Sequence, residues 1–397
     1  MTQLPIADRM ERLGTETAFE VLAKARALEA EGRDVVHLEI GEPDFATPAN
    51  IIEAAKRALD DGYTHYGPSA GLLELREAIA EDVARTRGIP INPEQVVVTP
   101  GAKPIMFFLM LCCLNEGDEV IYPDPGFPTY ESVASFIGAR PIPVPLGEEN
   151  DFRLDVDDLK ARLSPRTRML ILNSPQNPTG SVLTREDLEQ IAGLVSGSPI
   201  VILTDEVYRN IIYSGAAPSI ASLPGMAEQT VILDGFSKTY AMTGWRLGYG
   251  VMPEELAWRI ARLMTNSNSC TASFVQIAGV EALRGPQDSV ARMVAEFAER
   301  RRVIVDGLNG IPCVTCRPPQ GAFYVFPNVS GLPADSQEIA DRLLSEAGVA
   351  ALSGRSFGAH ADDYLRLSYA NSIPNLQRAL ERIDGFARSL LAGAAVG

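Results

Sequence analysis

Histidine is scarce in this 397-residue chain: only His37, His65 and His360 are present, far apart in sequence. A histidine-based metal centre is not expected. Cys313-Val314-Thr315-Cys316 has the spacing of half a zinc site, but no second pair supplies the remaining ligands, so no metal is assigned. The five cysteines are an odd number and Cys112 and Cys113 are adjacent. That pattern argues against a disulfide framework and for a reducing, cytoplasmic setting. Long apolar runs are absent as well. The longest, residues 105–114, is too short to cross a bilayer, and residues 1–33 scatter charges where a signal peptide would need an apolar stretch. Membrane attachment is not expected. Positive charge is in deficit, with 35 Lys and Arg against 51 Asp and Glu for a net charge of −16, which opposes binding to nucleic-acid phosphates. Internal repeats, low-complexity tracts and Gly/Ser linkers are missing too.

What is present is the composition of a globular enzyme, 46% hydrophobic and 22% charged, long enough for more than one domain. Short apolar runs at 96–99, 119–122, 169–172, 200–203, 230–233 and 247–251 alternate with helical patterns, among them 185–195 and 253–265. This alternation predicts an α/β fold with a mostly parallel, helix-covered sheet. Helical periodicity returns at 276–283 and 290–308, broken at Gly285-Pro286. Strand-like 321–326 and 365–369, with a helix over 336–346 between them, predict a smaller α+β unit. A helix over 17–31 carries Ala18, Val21, Leu22, Ala25 and Leu28 on one side, and its other face has no basic excess, so a packed helix is expected.

The chemistry gathers at strand ends, where doubly wound sheets keep their ligands. After the run at 230–233 comes Asp234-Gly235-Phe236-Ser237-Lys238-Thr239-Tyr240-Ala241-Met242-Thr243-Gly244-Trp245-Arg246. A desolvated lysine can lose its proton and attack an aldehyde, and an arginine fork matches a phosphate. Thr204-Asp205-Glu206-Val207-Tyr208 and Asn173-Ser174-Pro175-Gln176-Asn177-Pro178-Thr179-Gly180 follow two other strands. Val96-Val97-Val98-Thr99-Pro100-Gly101-Ala102-Lys103 turns through glycine into a helix start, a place for an anion. Pro123-Asp124-Pro125-Gly126-Phe127-Pro128-Thr129-Tyr130, Ile40-Gly41-Glu42-Pro43-Asp44-Phe45, Thr64-His65-Tyr66-Gly67-Pro68 and Tyr364-Leu365-Arg366-Leu367-Ser368-Tyr369-Ala370 complete the set. Singly, Lys238 reads as a surface lysine, Arg366 as a salt-bridge arginine, Asp205 as a helix cap and Phe127 as core.

In this order and spacing the motifs resemble those of the fold-type I pyridoxal-phosphate enzymes, specifically class I and II aminotransferases of the aspartate/aromatic branch. The resemblance implies a large domain, residues 46–288, with a mostly parallel seven-stranded sheet. It also implies a small α+β domain made of 1–45 and 289–397. It makes Lys238 the Schiff-base lysine, Asp205 the partner of the pyridine nitrogen, and Asn177 and Tyr208 the partners of the ring hydroxyl. Phe127 is placed on the ring face, with Ala102, Lys103, Ser237 and Arg246 around the phosphate. Arg366 is implied to clamp the substrate α-carboxylate, with Gly41 and Asn177 beside it. Tyr66 would reach the neighbouring subunit's phosphate, which implies a homodimer. The implied activity is transfer of an amino group from an L-amino acid to a 2-oxo acid, with 2-oxoglutarate as one partner, by a ping-pong mechanism.

Two positions depart from the pattern. Gly235 stands where the family commonly has a phosphate-binding serine, at a cost of about 1.5 to 3 kcal/mol unless another donor replaces it. The stretch between Arg262 and Arg284 holds no arginine for a substrate's distal carboxylate, whereas Lys103 sits where another branch places a lysine for that group; a role in the phosphate field or toward solvent is the alternative. A C–S β-lyase, a decarboxylase and a non-enzymatic regulator remain open beside the aminotransferase.

Overall fold

A computed structural model describes residues 4–394. Its central seven-stranded sheet runs, edge to edge, Val96–Thr99, Gly248–Val251, Thr230–Gly235, Val201–Asp205, Thr167–Asn173, Glu119–Asp124 and Arg140–Pro145. Gly248–Val251 is antiparallel to both neighbours and every other pairing is parallel. Residues alternate between faces, as the two-residue period of a strand requires. Val97, Met169, Ile171, Val231 and Leu233 pack against helices Lys103–Cys113, Thr129–Phe136 and Glu254–Ser267. Val96, Val98 and Ile232 face helices Leu73–Arg87 and Ser273–Arg284, while Leu170, Leu172 and Ile202 face Arg185–Val195. A sheet buried on both faces explains why its strands read as unbroken apolar runs.

Six strands fall where those runs put them. The seventh, Arg140–Pro145, was not read from the sequence, because Pro141, Pro143 and Pro145 suggest a loop. It forms the outer edge, paired in parallel with Glu119–Asp124. The Arg140 and Leu146 amides each donate inward over 2.8 Å. The three prolines, of opposite parity, turn their nitrogens outward, where no ladder bond is lost.

A second core surrounds Phe297, Phe323, Tyr324 and Tyr369. Here Val36–His37 pairs in parallel with Val349–Ala350, and Leu352–Ser353, Leu365–Ser368 and Tyr324–Val325 form an antiparallel sheet flanked by helices Asp288–Asn309 and Ile373–Ala394. Three expectations need correction. The strand expected over 321–326 shrinks to Tyr324–Val325, because Ala322 is left-handed at φ 58° and an added Cβ at Gly321 would meet Pro175 Cβ at 2.7 Å. The helix expected over 336–346 is α-helical only over Ser336–Arg342, then widens to a π turn over Leu343–Ala347. Helix Thr17–Ala30 has the predicted stripe, yet only Ala25 is fully buried and Phe19 is 63% exposed. It lies on the molecule as a strap.

Charge is buried beneath the C-terminal edge of the sheet. Arg87, at the end of Leu73–Arg87, donates from Nε to Glu206 over 3.0 Å, pairs with Asp234, and lies 3.5 Å from Asp82. Burial opposes its charge, but Glu206 and Asp234 outweigh that and hold its pKa above the ordinary arginine value. Arg87→Leu would leave two buried carboxylates uncompensated, and we expect a loss of about 3–5 kcal/mol of stability. Thermal denaturation checks this, and an unchanged midpoint would show the cluster to be dispensable.

Candidate active site

The C-terminal ends of the parallel strands open onto a cleft of about 540 Å³. Asn173 and Asp205 sit opposite each other in register at the ends of adjacent strands, and Lys238 follows the end of Thr230–Gly235. Lys238 keeps part of its surface open to the cleft, while its Nζ donates to the Gly41 carbonyl and lies 5.9 Å from the Tyr208 ring centroid. Desolvation brings its pKa down to about 8. Glu42 opposes that shift, and the guanidinium groups of Arg366 and Arg246 reinforce it. Such an amine is neutral in useful amount near neutral pH.

Asp205 is buried and accepts a 2.6 Å hydrogen bond from the Tyr130 hydroxyl and a 3.3 Å bond from the Val207 amide. Desolvation raises its pKa to about 6, against the lowering by Tyr130. A carboxylate held this way gains from any cation placed beside it. Arg366, 4% exposed, donates to the Glu39 carbonyl and, over 3.2 Å, to Asn177 Oδ1. Its Nε is buried without a partner, and its guanidinium lies 4.5 Å over the Tyr324 ring.

Arg246 adopts the left-handed conformation at φ 57° and donates to the Thr243 carbonyl over 2.8 Å. Its guanidinium lies against Gly101 so closely that an added Cβ there would meet Nη2 at 2.2 Å. Gly101 is therefore needed for the turn and for the approach. Ala102 opens helix Lys103–Cys113 without a side-chain cap, so the helix start faces the cleft with amides available to an anion.

Among the described residues, Lys238, Arg246 and Arg366 bond only to carbonyl or amide oxygens and join no ion pair. Three cations without counter-anions, an open helix start and a buried carboxylate waiting for a cation fit pyridoxal phosphate with an amino-acid substrate. The donor set matches phosphate and carboxylate, and Asp205 matches a protonated ring nitrogen.

Most of the residues singled out in the sequence line this one cleft: Gly41, Ala102, Lys103, Phe127, Asn177, Asp205, Tyr208, Ser237, Lys238, Arg246 and Arg366. Tyr66 does not. It is 90% exposed and away from the cleft of its own chain. Tyr208 directs its hydroxyl to Tyr324 over 2.7 Å. The Lys103 ammonium is bonded to Glu16 and lies 5.3 Å over the Phe127 ring. A serine at position 235 would be crowded, since a Cβ there would meet Gly248 Cα at 3.2 Å; Ser237 and Thr243 are the hydroxyls lining that side. Cys313 is exposed and Cys316 buried, and no group of three metal-binding side chains occurs among the described residues.

Sequence reasoning missed four contributors. Tyr130 and Tyr324 look like core aromatics, and Glu16 and Phe19 come from the strap. Tyr324 explains Gly41, where a Cβ would fall 2.0 Å from the Tyr324 hydroxyl.

Fold and site together define an α/β enzyme of pyridoxal-phosphate fold type I. A profile of the family "Aminotransferase class I and II" matches residues 33–383, and the chain belongs to this family as a pyridoxal-phosphate-dependent aminotransferase. It is 43% identical over 383 residues to an aspartate aminotransferase of Pyrococcus horikoshii, covering 96% of each chain. It is 40% identical to aromatic-amino-acid aminotransferase 2 of Thermococcus litoralis, over 96% of this chain and 98% of that one. Among solved structures, the aspartate aminotransferase from Thermus thermophilus with maleate superposes with a TM-score of 0.93 at 37% identity, over 96% of this chain and 99% of the other. The alanine aminotransferase from Pyrococcus furiosus gives 0.93 at 32%, over 97% and 100%.

The raised pKa of Asp205 has a measurable consequence in cofactor-free protein. Its folded value of about 6 lies above the unfolded carboxylate value of about 3.9, so the folded state holds the extra proton between those limits. Stability therefore falls as pH rises through that window, by up to about 3 kcal/mol. Asp205→Asn should raise the cofactor-free melting temperature by a few degrees above pH 6, a gain that vanishes below about pH 4. A gain independent of pH would contradict the assignment.

Proposed function

We infer that this enzyme moves an amino group from an L-amino acid to a 2-oxo acid, with 2-oxoglutarate as one partner, by a ping-pong sequence in the cytoplasm. The observation that carries this reading is the Lys238 amine past a strand end, bonded to a neutral carbonyl and with its pKa depressed by desolvation, in one cleft with the guanidinium groups of Arg246 and Arg366, which join no ion pair among the described residues. When bound, pyridoxal phosphate supplies an aldehyde that condenses with amines and a ring that takes up electron density from Cα. Lys238 Nζ attaches the group and carries the Cα proton as general base. Arg366 binds the α-carboxylate as a planar fork, which fixes orientation as well as affinity, with Asn177 and Gly41 beside it. Asp205 would hold the charge on the ring nitrogen, Asn177 and Tyr208 would serve the ring oxygen, and Phe127 would pack against the ring. The amides of Ala102 and Lys103, Ser237 and Arg246 would hold the phosphate.

One site serving two half-reactions requires that the donor's oxo acid leave before the acceptor binds, which is the reason for ping-pong kinetics. The relatives' names differ in amino donor (aspartate, aromatic amino acids, alanine) but agree on amino transfer, which supports the reaction type. The same reading divides the chain into a large domain, 46–288, and a small domain made of 1–45 and 289–397. It also makes the enzyme a homodimer, and the exposed Tyr66 supports a role across the interface.

Incubation with donor amino acids and 2-oxoglutarate should yield glutamate equal to the oxo acid formed, whereas a lyase or decarboxylase would release other products. Borohydride reduction of the loaded enzyme should fix the cofactor mass on the peptide containing Lys238. Lys238→Ala should abolish both labelling and turnover, and label on another lysine would refute the assignment. Capture of the cofactor into reducible form should speed up with pH and level off above about 8.

For the shared site, mixing Tyr66→Ala chains with Lys238→Ala chains should restore activity, because one hybrid site then carries both native residues. A fully active monomer in light scattering would rule out the exchange.

A further inference from the structure

Glu16 stands at the N-cap position of helix Thr17–Ala30 but does not cap it. Capping residues normally turn a side-chain oxygen back onto their own helix's amides. Glu16 instead reaches across the cleft to the Lys103 ammonium, which also lies 5.3 Å over the Phe127 ring. The two side chains are 24% and 48% exposed, at the wall of the cleft where Ala18 and Phe19 also face inward. The strap is anchored on both sides of this point. Ser132 Oγ donates to the Gly14 carbonyl over 3.2 Å, and Lys24 pairs with Asp341 at 3.4 Å.

We propose that Glu16 is a specificity-determining residue, a carboxylate belonging to the enzyme that occupies Lys103 and sets the balance between uncharged and dicarboxylic substrates. The inference rests on the aminotransferase reading, and its physical content is a competition. An alanine-like or aromatic side chain enters with the Glu16–Lys103 pair closed, meeting Phe19 and Phe127 beside a neutralised ion pair. A substrate with a distal carboxylate brings a second anion toward the same single cation, so it gains Lys103 only in the fraction of molecules where Glu16 has let go. Apparent affinity for dicarboxylates is reduced by that fraction, whereas affinity for uncharged side chains is not.

The test uses the cofactor-loaded enzyme and its Glu16→Gln variant. Equilibrium binding of two unreactive acids is measured by calorimetry: maleate, with two carboxylates, and 3-phenylpropionate, with one. Glu16→Gln should shift the ratio of the two dissociation constants about tenfold in favour of maleate. The same shift should appear in the ratio of KM for glutamate to KM for phenylalanine. Replacing Lys103 as well, in Glu16→Gln/Lys103→Ala, should abolish the shift. If Glu16 only fastens the strap, both acids change by the same factor and the inference is overturned. It is also overturned if the shift survives the loss of Lys103. Because binding is read without turnover, an unmoved ratio in an enzyme that still transfers amino groups defeats this inference alone. A moved ratio in an enzyme that transfers none supports it while the proposed reaction fails.

Discussion

The structure depends on a concentration of unneutralised positive charge at one edge of a sheet. Lys238, Arg246 and Arg366 line the cleft there, with only neutral oxygens for hydrogen-bond partners among the described residues. Desolvation depresses the pKa of Lys238 and Arg366. Holding Lys238 and Arg366 in this state costs stability, which an anionic cofactor and carboxylate substrates would return on binding under the proposed reading. The chain's overall negative charge makes the local excess all the more selective.

Arg87 shows what a structural arginine looks like in the same protein. It is as deeply buried as Arg366, but with carboxylates of Glu206 and Asp234 in contact. These two acids immediately follow Asp205 and immediately precede Gly235, so the same strand ends carry both a neutralised cluster facing the core and an unneutralised one facing the cleft. The separation leaves Asp205 outside the Arg87 cluster, with the Tyr130 hydroxyl and the Val207 amide as its partners, which suits the role proposed for it. Glycines at 41, 101 and 248 let the Tyr324 phenol, the Arg246 guanidinium and the backbone, respectively, approach closely; at Gly248 a Cβ would come within 2.3 Å of the Ala102 nitrogen.

Much of this was legible in the sequence because apolar runs mark the strands, and the polar motifs that follow them supply most of the cleft. Asp205, Asn177 and Lys238 stand at or just past strand ends, whereas Arg366 lies inside the strand Leu365–Ser368 and was singled out by the resemblance of its motif. The edge strand 140–145 was not, since its prolines carry loop character unless one knows that only the outer side is unpaired. Tyr130 and Tyr324 were hidden because an aromatic that orients a functional group has the same pattern as one that fills a core. Glu16 was invisible for a different reason: its partner Lys103 lies 87 residues away, and nothing local signals that an N-cap residue will turn from its own helix.

The most direct measurement is the thermal stability of cofactor-free protein titrated with pyridoxal phosphate and, separately, with pyridoxal. If unneutralised cations organise the site, the phosphorylated compound should raise the melting temperature far more at equal concentration, and Arg246→Ala should remove most of that difference. Equal stabilisation by both compounds would contradict the account.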